Sequence, residues 1–174
     1  MTSNMDHDTQ DENNEVKALN QVATWLAIYL TLISVAAFFT GRALIESSAG
    51  NWLTFAIALL GAAGSGIAAL TSCLNRRALG WELESGLKVP PEDPRQKTPE
   101  ERFNRGMSMW FWFRPFLGLI IAPIFVWGIE LLVKNPAALV NSPQRLGFTA
   151  FMGGLLAKSV IDVVKGVFRG IFKQ

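Results

Sequence analysis

The chain has 174 residues and a mass of 19.1 kDa, which bounds it at one domain. Charged residues make up 17% of it, against roughly 25% in an average soluble protein, while apolar residues reach 50% and the mean hydropathy is +0.27. Five of the fourteen acids lie in the first fifteen residues, and most of the other charges bunch between 76 and 105 and after 157. A soluble globular domain and a disordered chain are excluded by this pattern, and a disulfide scaffold by the single cysteine; an integral membrane protein is what fits.

Residues 1–15 are polar and acidic, with nothing to bury, and are expected to form a disordered tail. His7, the only histidine, falls there; the triplet Asp6-His7-Asp8 is not read as a metal site, because an unfolded tail does not preorganise ligands. A helix needs about 20 apolar residues to cross the roughly 30 Å of hydrocarbon in a bilayer. No charge occurs between Lys17 and Arg42, which predicts a first span over 22–41, and none between Glu46 and Arg76, which predicts a second over 52–74. The leader is acidic rather than basic and the first span is too long for a signal core, so it is expected to stay as an anchor.

The connection 75–109 is the one sizeable polar segment. Leu79, Leu83 and Leu87 recur every four residues around Trp81, which predicts a short surface helix over 76–88. Pro90, Pro91 and Pro94 then break any helix. Thr98-Pro99-Glu100-Glu101 reads as a helix start, with Thr98 as N-cap and Glu101 closing a capping box. That helix is expected to run into a third span over 110–133. Within it, Pro115 and Pro123 can kink the helix, and Trp110, Phe111, Trp112 and Phe113 read as an aromatic belt, joined by Trp25, Trp52 and Trp127 near the other span ends.

The last segment is shorter. Residues 146–157 form an uncharged run of twelve, followed by Lys158, Asp162, Lys165, Arg169 and Lys173 at helical spacing. The positive-inside rule decides how to read it. The connection 75–109 carries seven basic residues, whereas the two opposite loops carry only Arg42, Lys134 and Arg145. A fourth span over 146–164 returns the basic C-terminal stripe to the side of the basic connection. The expected fold is therefore all-α: a four-transmembrane-helix bundle over 16–174 with a cytoplasmic amphipathic C-terminal extension, both termini cytoplasmic, in a bilayer such as the bacterial inner membrane.

Candidate chemistry is sparse. The glycines of Gly61-Ala62-Ala63-Gly64-Ser65-Gly66 do not have P-loop or dinucleotide spacing, and Ser65 has no histidine in any span to serve as its base. Their better use is packing, since small residues let helix backbones approach where lipid supplies no hydrophobic drive. Ala58, Gly61, Ala62, Gly64, Ser65 and Gly66 in span two, Gly118 and Ala122 in span three, and Gly166 and Gly170 near the end are the expected packing or oligomer faces, with span two central. Cys73 is read as a small buried residue. Arg114, Glu130, Lys158, Asp162 and Lys165 are candidate intramembrane or pore-lining charges, because ionisable groups are rare in spans without a reason. No cofactor or metal is expected. Nucleic acid is not an expected partner either, because the seven basic residues of 75–109 are offset by six acids. The sequence thus predicts a non-enzymatic membrane module that self-assembles through its Gly/Ala faces as a pore-type or effector protein, or else an accessory subunit of a larger membrane complex, with 75–109 as a docking segment for a cytoplasmic partner.

Overall fold

The structure is a computed structural model that describes residues 3–47, 52–91, 101–132 and 142–162. It is helical apart from one small hairpin: α1 (Ser3–Glu46), α2 (Leu53–Leu79), β1 (Trp81–Glu82), β2 (Lys88–Val89), α3 (Arg105–Leu132) and α4 (Pro143–Leu155). Three stretches are long and apolar enough to cross a membrane: Gln10–Glu46, Leu53–Leu79 and Arg105–Leu132. This is the build of a helical membrane protein. The 13 residues of α4 rise only about 20 Å, less than a hydrocarbon core requires. Beyond a turn at Leu156 the chain is helical again over 157–162. The expected C-terminal extension, with Lys165, Gly166 and Gly170, lies outside the described residues.

Three expectations need correction. The segment expected to be a disordered tail is helical from Ser3 onward as part of α1. There is no glycine or proline before Gly41, so a helix nucleated by the apolar span propagates outward at little cost. The short helix expected over 76–88 is instead the end of α2 followed by the hairpin. The chain leaves α2 at Gly80 with φ +108°, a left-handed conformation that glycine adopts without strain, and turns again at Gly86 with φ +81°. The leucine spacing that suggested a helix is split by this turn: Leu83 is 3% exposed and Leu87 44%. Finally, α3 begins at Arg105 rather than at Pro99. Asn104 caps it, its Oδ1 accepting the Met107 backbone N–H at 2.9 Å, and 101–104 is non-helical, with Phe103 in a parallel bridge to Trp81. Thr98 itself lies outside the described residues.

The chain divides into two compact units. The first comprises Met1–Tyr29 with Leu70–Trp112, the second Leu30–Ala69 with Phe113–Gln174. In the first, Leu19, Ala23 and Leu26 form a buried stripe at spacings of four and three, the period of one helix face. Phe103, fully buried, is its centrepiece: it stacks on Phe111 with ring centroids 6.3 Å apart and meets Trp81 edge-on at 5.8 Å. Backbone bonds fix the strand that carries it, from Glu82 N–H to Phe103 O at 3.0 Å and from Phe103 N–H to Gly80 O at 3.2 Å.

In the second unit, α1 continues the same periodicity through Leu30, Ser34, Ala37, Gly41 and Ile45, all buried. On α2, Leu60 through Gly66 are buried without interruption. A helix buried on every side over two turns must be surrounded, and the glycine contacts below show by what. Ile45, Ala56, Ile57, Leu60, Ala122, Val126, Leu146 and Ala150 form one apolar cluster drawn from all four helices. The outward faces of α1 and α3 carry Leu32, Phe39, Ile120, Ile124 and Trp127, all exposed, the composition a lipid-facing surface needs.

Candidate functional site

Two features stand out from the residues upward. One is the junction of small residues on α2. The other is the polar hairpin module that follows it.

The junction exists because six positions have no Cβ. A methyl group built on Gly61 would overlap Ala122 Cβ and the Gly118 carbonyl oxygen, and one built on Gly118 would overlap the Gly61 carbonyl oxygen and approach Ser65 Cβ to 2.7 Å. The contact is therefore backbone against backbone between α2 and α3. On another side of α2, a Cβ on Gly64 would strike the Phe151 carbonyl oxygen, and one on Gly154 would strike the Gly61 carbonyl oxygen, which seats α4 equally close. α1 completes the ring: a Cβ on Gly66 would overlap Ser34 Oγ, and one on Gly41 would come within 2.9 Å of Leu60 Cγ. Of the residues singled out in the sequence, Gly61, Gly64, Ser65, Gly66, Gly118 and Ala122 are thus brought together at one place. Ala62 is buried beside them in a cluster with Ala37 and Ala63, and Ala58 is half-buried. These faces are covered by the chain's own helices. Gly154 also belongs here, while its neighbour Gly153 lies against the Phe125 side chain of α3; the sequence marks both as the Gly-Gly pair of the last helix.

Polar groups lock the same junction. Ser65, fully buried, donates its hydroxyl to the Arg114 carbonyl oxygen at 2.7 Å. Arg114 is 7% exposed, and its guanidinium donates back to the Ala68 carbonyl oxygen at 3.4 Å. Arg114 thereby links α3 to α2 in both directions, through its backbone and its side chain. The Ser65 hydroxyl is engaged in packing. Ser34 Oγ is buried over Gly66 without a hydrogen-bond partner among the described residues. Of the other candidate charges, Glu130 is half-buried near the end of α3, while Lys158 and Asp162 are exposed on 157–162. Lys165 lies outside the described residues.

The hairpin module is held by a different set of bonds. Arg76 forms an ion pair with Glu101 and donates to the Met107 sulfur. Arg77 reaches the Thr24 hydroxyl at 3.3 Å, and the Glu84 backbone N–H donates to the Glu15 carboxylate at 2.6 Å. Arg105 pairs with Glu84 at 3.0 Å, and the Asn104 side-chain amide donates to Glu82 at 3.3 Å. Arg102 is buried and donates to the Pro90 carbonyl oxygen. The sequence marked this segment as charged and nearly neutral in sum; the structure turns that balance into pairs. Tyr29 packs on Trp112 with centroids 4.0 Å apart, so the aromatic belt is partly used for packing within the unit. Cys73 is buried with its thiol free. Among the described residues there is no group of three His, Cys, Asp or Glu side chains placed to hold a metal ion.

No family model, no curated protein and no solved structure matches the chain.

Proposed function

We propose that this chain is a non-enzymatic integral membrane protein that crosses the bilayer four times, with both termini cytoplasmic, and serves as an accessory subunit that holds its hairpin module against a larger membrane complex. The observation that carries this reading is the use of the small-residue faces. Gly61, Gly64, Gly66 and Gly118 meet other helices of the same chain, so among the described residues the small-residue faces that would favour self-assembly are already occupied. What is left built and outward is the hairpin module, with its paired charges and the exposed Leu87 at its turn.

Support for a fourth span is additive. α4, the turn at Leu156 and the helical 157–162 together cover twenty residues, 143–162, a length that reaches about 30 Å at a helical rise. The positive-inside rule then places the basic hairpin module and the basic C-terminus on one side. Support for the non-enzymatic reading is the engagement of Ser65 in the helix junction.

Native mass spectrometry of the chain, extracted gently from its own host, tests the proposal. The expected result is a mass containing at least one different chain, lost when Leu87→Asp is introduced. A single mass at a multiple of 19.1 kDa would overturn it in favour of the self-assembling module.

A further inference from the structure

The second unit contains a cleft of about 490 Å³, inside the roughly 300–1,000 Å³ range of small-ligand sites. Its floor is apolar, made by Phe38 of α1, Leu60 of α2 and Phe148 and Phe151 of α4. At its mouth stands Arg42, one turn beyond Phe38 on α1. Arg42 donates from Nε to the Glu46 carboxylate at 2.9 Å, and its side chain stays 62% exposed. Glu46 is thus engaged in fixing the guanidinium, whose terminal amino groups carry the remaining donors. α4 begins at the same mouth with Pro143 and Gln144, so the positive end of its dipole adds to the field of Arg42. These residues lie at the end of a membrane-length helix, where headgroups meet hydrocarbon.

We propose that this cleft binds one phospholipid through its phosphodiester group. An acyl chain covers the phenylalanine floor, and the phosphate oxygens accept from the terminal amino groups of Arg42. The argument is charge complementarity at a defined depth. A guanidinium matches a phosphate in sign and in fork geometry, and an apolar floor one turn below it repeats the order of phosphate and acyl chain in a lipid. Glu46 keeps its own partners and touches no lipid; its part is to hold Arg42 over the cleft. The headgroup beyond the phosphate is therefore not read, and a lipid without phosphate is what the site rejects. Gly147 keeps the cleft open, since a Cβ there would already stand 3.3 Å from Leu60 Cδ1 and a longer side chain would fill the space. The inference rests on the membrane-embedded reading above and not on the partner proposed there.

The test exchanges the full chain from micelles doped with equal amounts of phosphatidylglycerol and a diacylglycerol of the same chains into lipid-free detergent, and quantifies the lipid that stays bound. The wild type is expected to keep phosphatidylglycerol over diacylglycerol by about two- to fivefold, the range of exposed charge pairs. Arg42→Gln should bring the ratio to that of the micelles, and Gly147→Leu should remove both lipids. Arg145→Gln is the control: Arg145 is exposed on α4 next to Gln144 but does not line the cleft, and its loss should leave the ratio unchanged. Arg42 and Arg145 are exposed, so their variants keep the fold even if Gly147→Leu does not. Equal retention of the two lipids by the wild type, a ratio that ignores Arg42→Gln, or one that falls as far with Arg145→Gln would overturn the proposal. Carbonate extraction of host membranes is run alongside. A chain released by carbonate would sink the embedded reading itself, whereas an embedded chain with unselective lipid sinks only this site.

Discussion

The sharpest consequence of the glycine junction is what a single methyl group should do. Gly61→Ala places its Cβ onto the Gly118 carbonyl oxygen and Ala122 Cβ, and Gly118→Ala places its own onto the Gly61 carbonyl oxygen. Neither clash can be relieved by a rotamer, because the obstacle is backbone. α2 and α3 must move apart, and the cost should fall at or above the upper end of overpacking, about 3 kcal/mol. Gly154→Ala meets the Gly61 carbonyl oxygen and should behave alike. Gly128→Ala is the internal control: nothing lies within 4 Å of a Cβ there, and alanine should gain up to about 1 kcal/mol of helix propensity. Unfolding in mixed micelles by increasing denaturing detergent, read by far-ultraviolet circular dichroism, gives the four stabilities on one scale. The double variant Gly61→Ala with Gly118→Ala should cost less than the sum of the singles, because once the helices separate the second methyl group finds room. If Gly61→Ala matches Gly128→Ala, the backbone contact is not present in the protein and the packing argument fails.

The remaining predictions use the same assay or a simple extension. Ser65→Ala removes the bond to the Arg114 carbonyl oxygen and should cost about 0.6 kcal/mol, up to about 1.7. Ser34→Ala removes a buried hydroxyl that has no partner among the described residues and should be neutral or stabilising; a loss as large as that of Ser65→Ala would contradict it. Gly80→Ala forces a Cβ onto a backbone with φ +108° and against the Val89 carbonyl oxygen. It should cost about 1–3 kcal/mol and open the hairpin, seen as faster limited proteolysis within 80–91 while the spans stay protected. Asn104→Ala deletes the cap of α3 and should cost about 1 kcal/mol, with Asn104→Asp restoring it.

Different parts of this molecule were legible to different degrees, for physical reasons. The long helices could be read because charge cannot be left in hydrocarbon: the gaps between Lys17 and Arg42 and between Glu46 and Arg76 leave few alternatives. The crowding around α2 was legible as composition, since Gly61, Gly64, Gly66 and Gly118 have no other evident reason to sit in apolar helices. Which helix meets which glycine was not, because one small-residue face serves an internal neighbour and a second copy equally well. The hairpin was missed because Leu79, Leu83 and Leu87 satisfy a helical period by coincidence. The contrary signals were Gly80 and the Ser85-Gly86 pair, residues that mark turns; the positive φ of Gly80 ends α2 and that of Gly86 turns the hairpin. The start of α3 was misplaced because Thr98-Pro99 and Asn104 are both acceptable N-termini, and the bonds that Phe103 makes to Gly80 and Glu82 hold 101–104 extended. The extent of α1 past the membrane was hidden by composition: acidity argues against burial but not against a helix.

The contact of α2 with its neighbours also bears on what can pass through the second unit. Where Gly61 meets Gly118 and Gly154, the spacing between helices is set by peptide planes rather than side chains, so no rotamer change can widen it. A hydrated ion or a file of water would have to part backbone from backbone there, and side chains elsewhere have no leverage on that separation. The axis of these helices is in this sense a solid rod. What that rod fixes is the distance between α2 and its neighbours, which only a movement of whole helices could change.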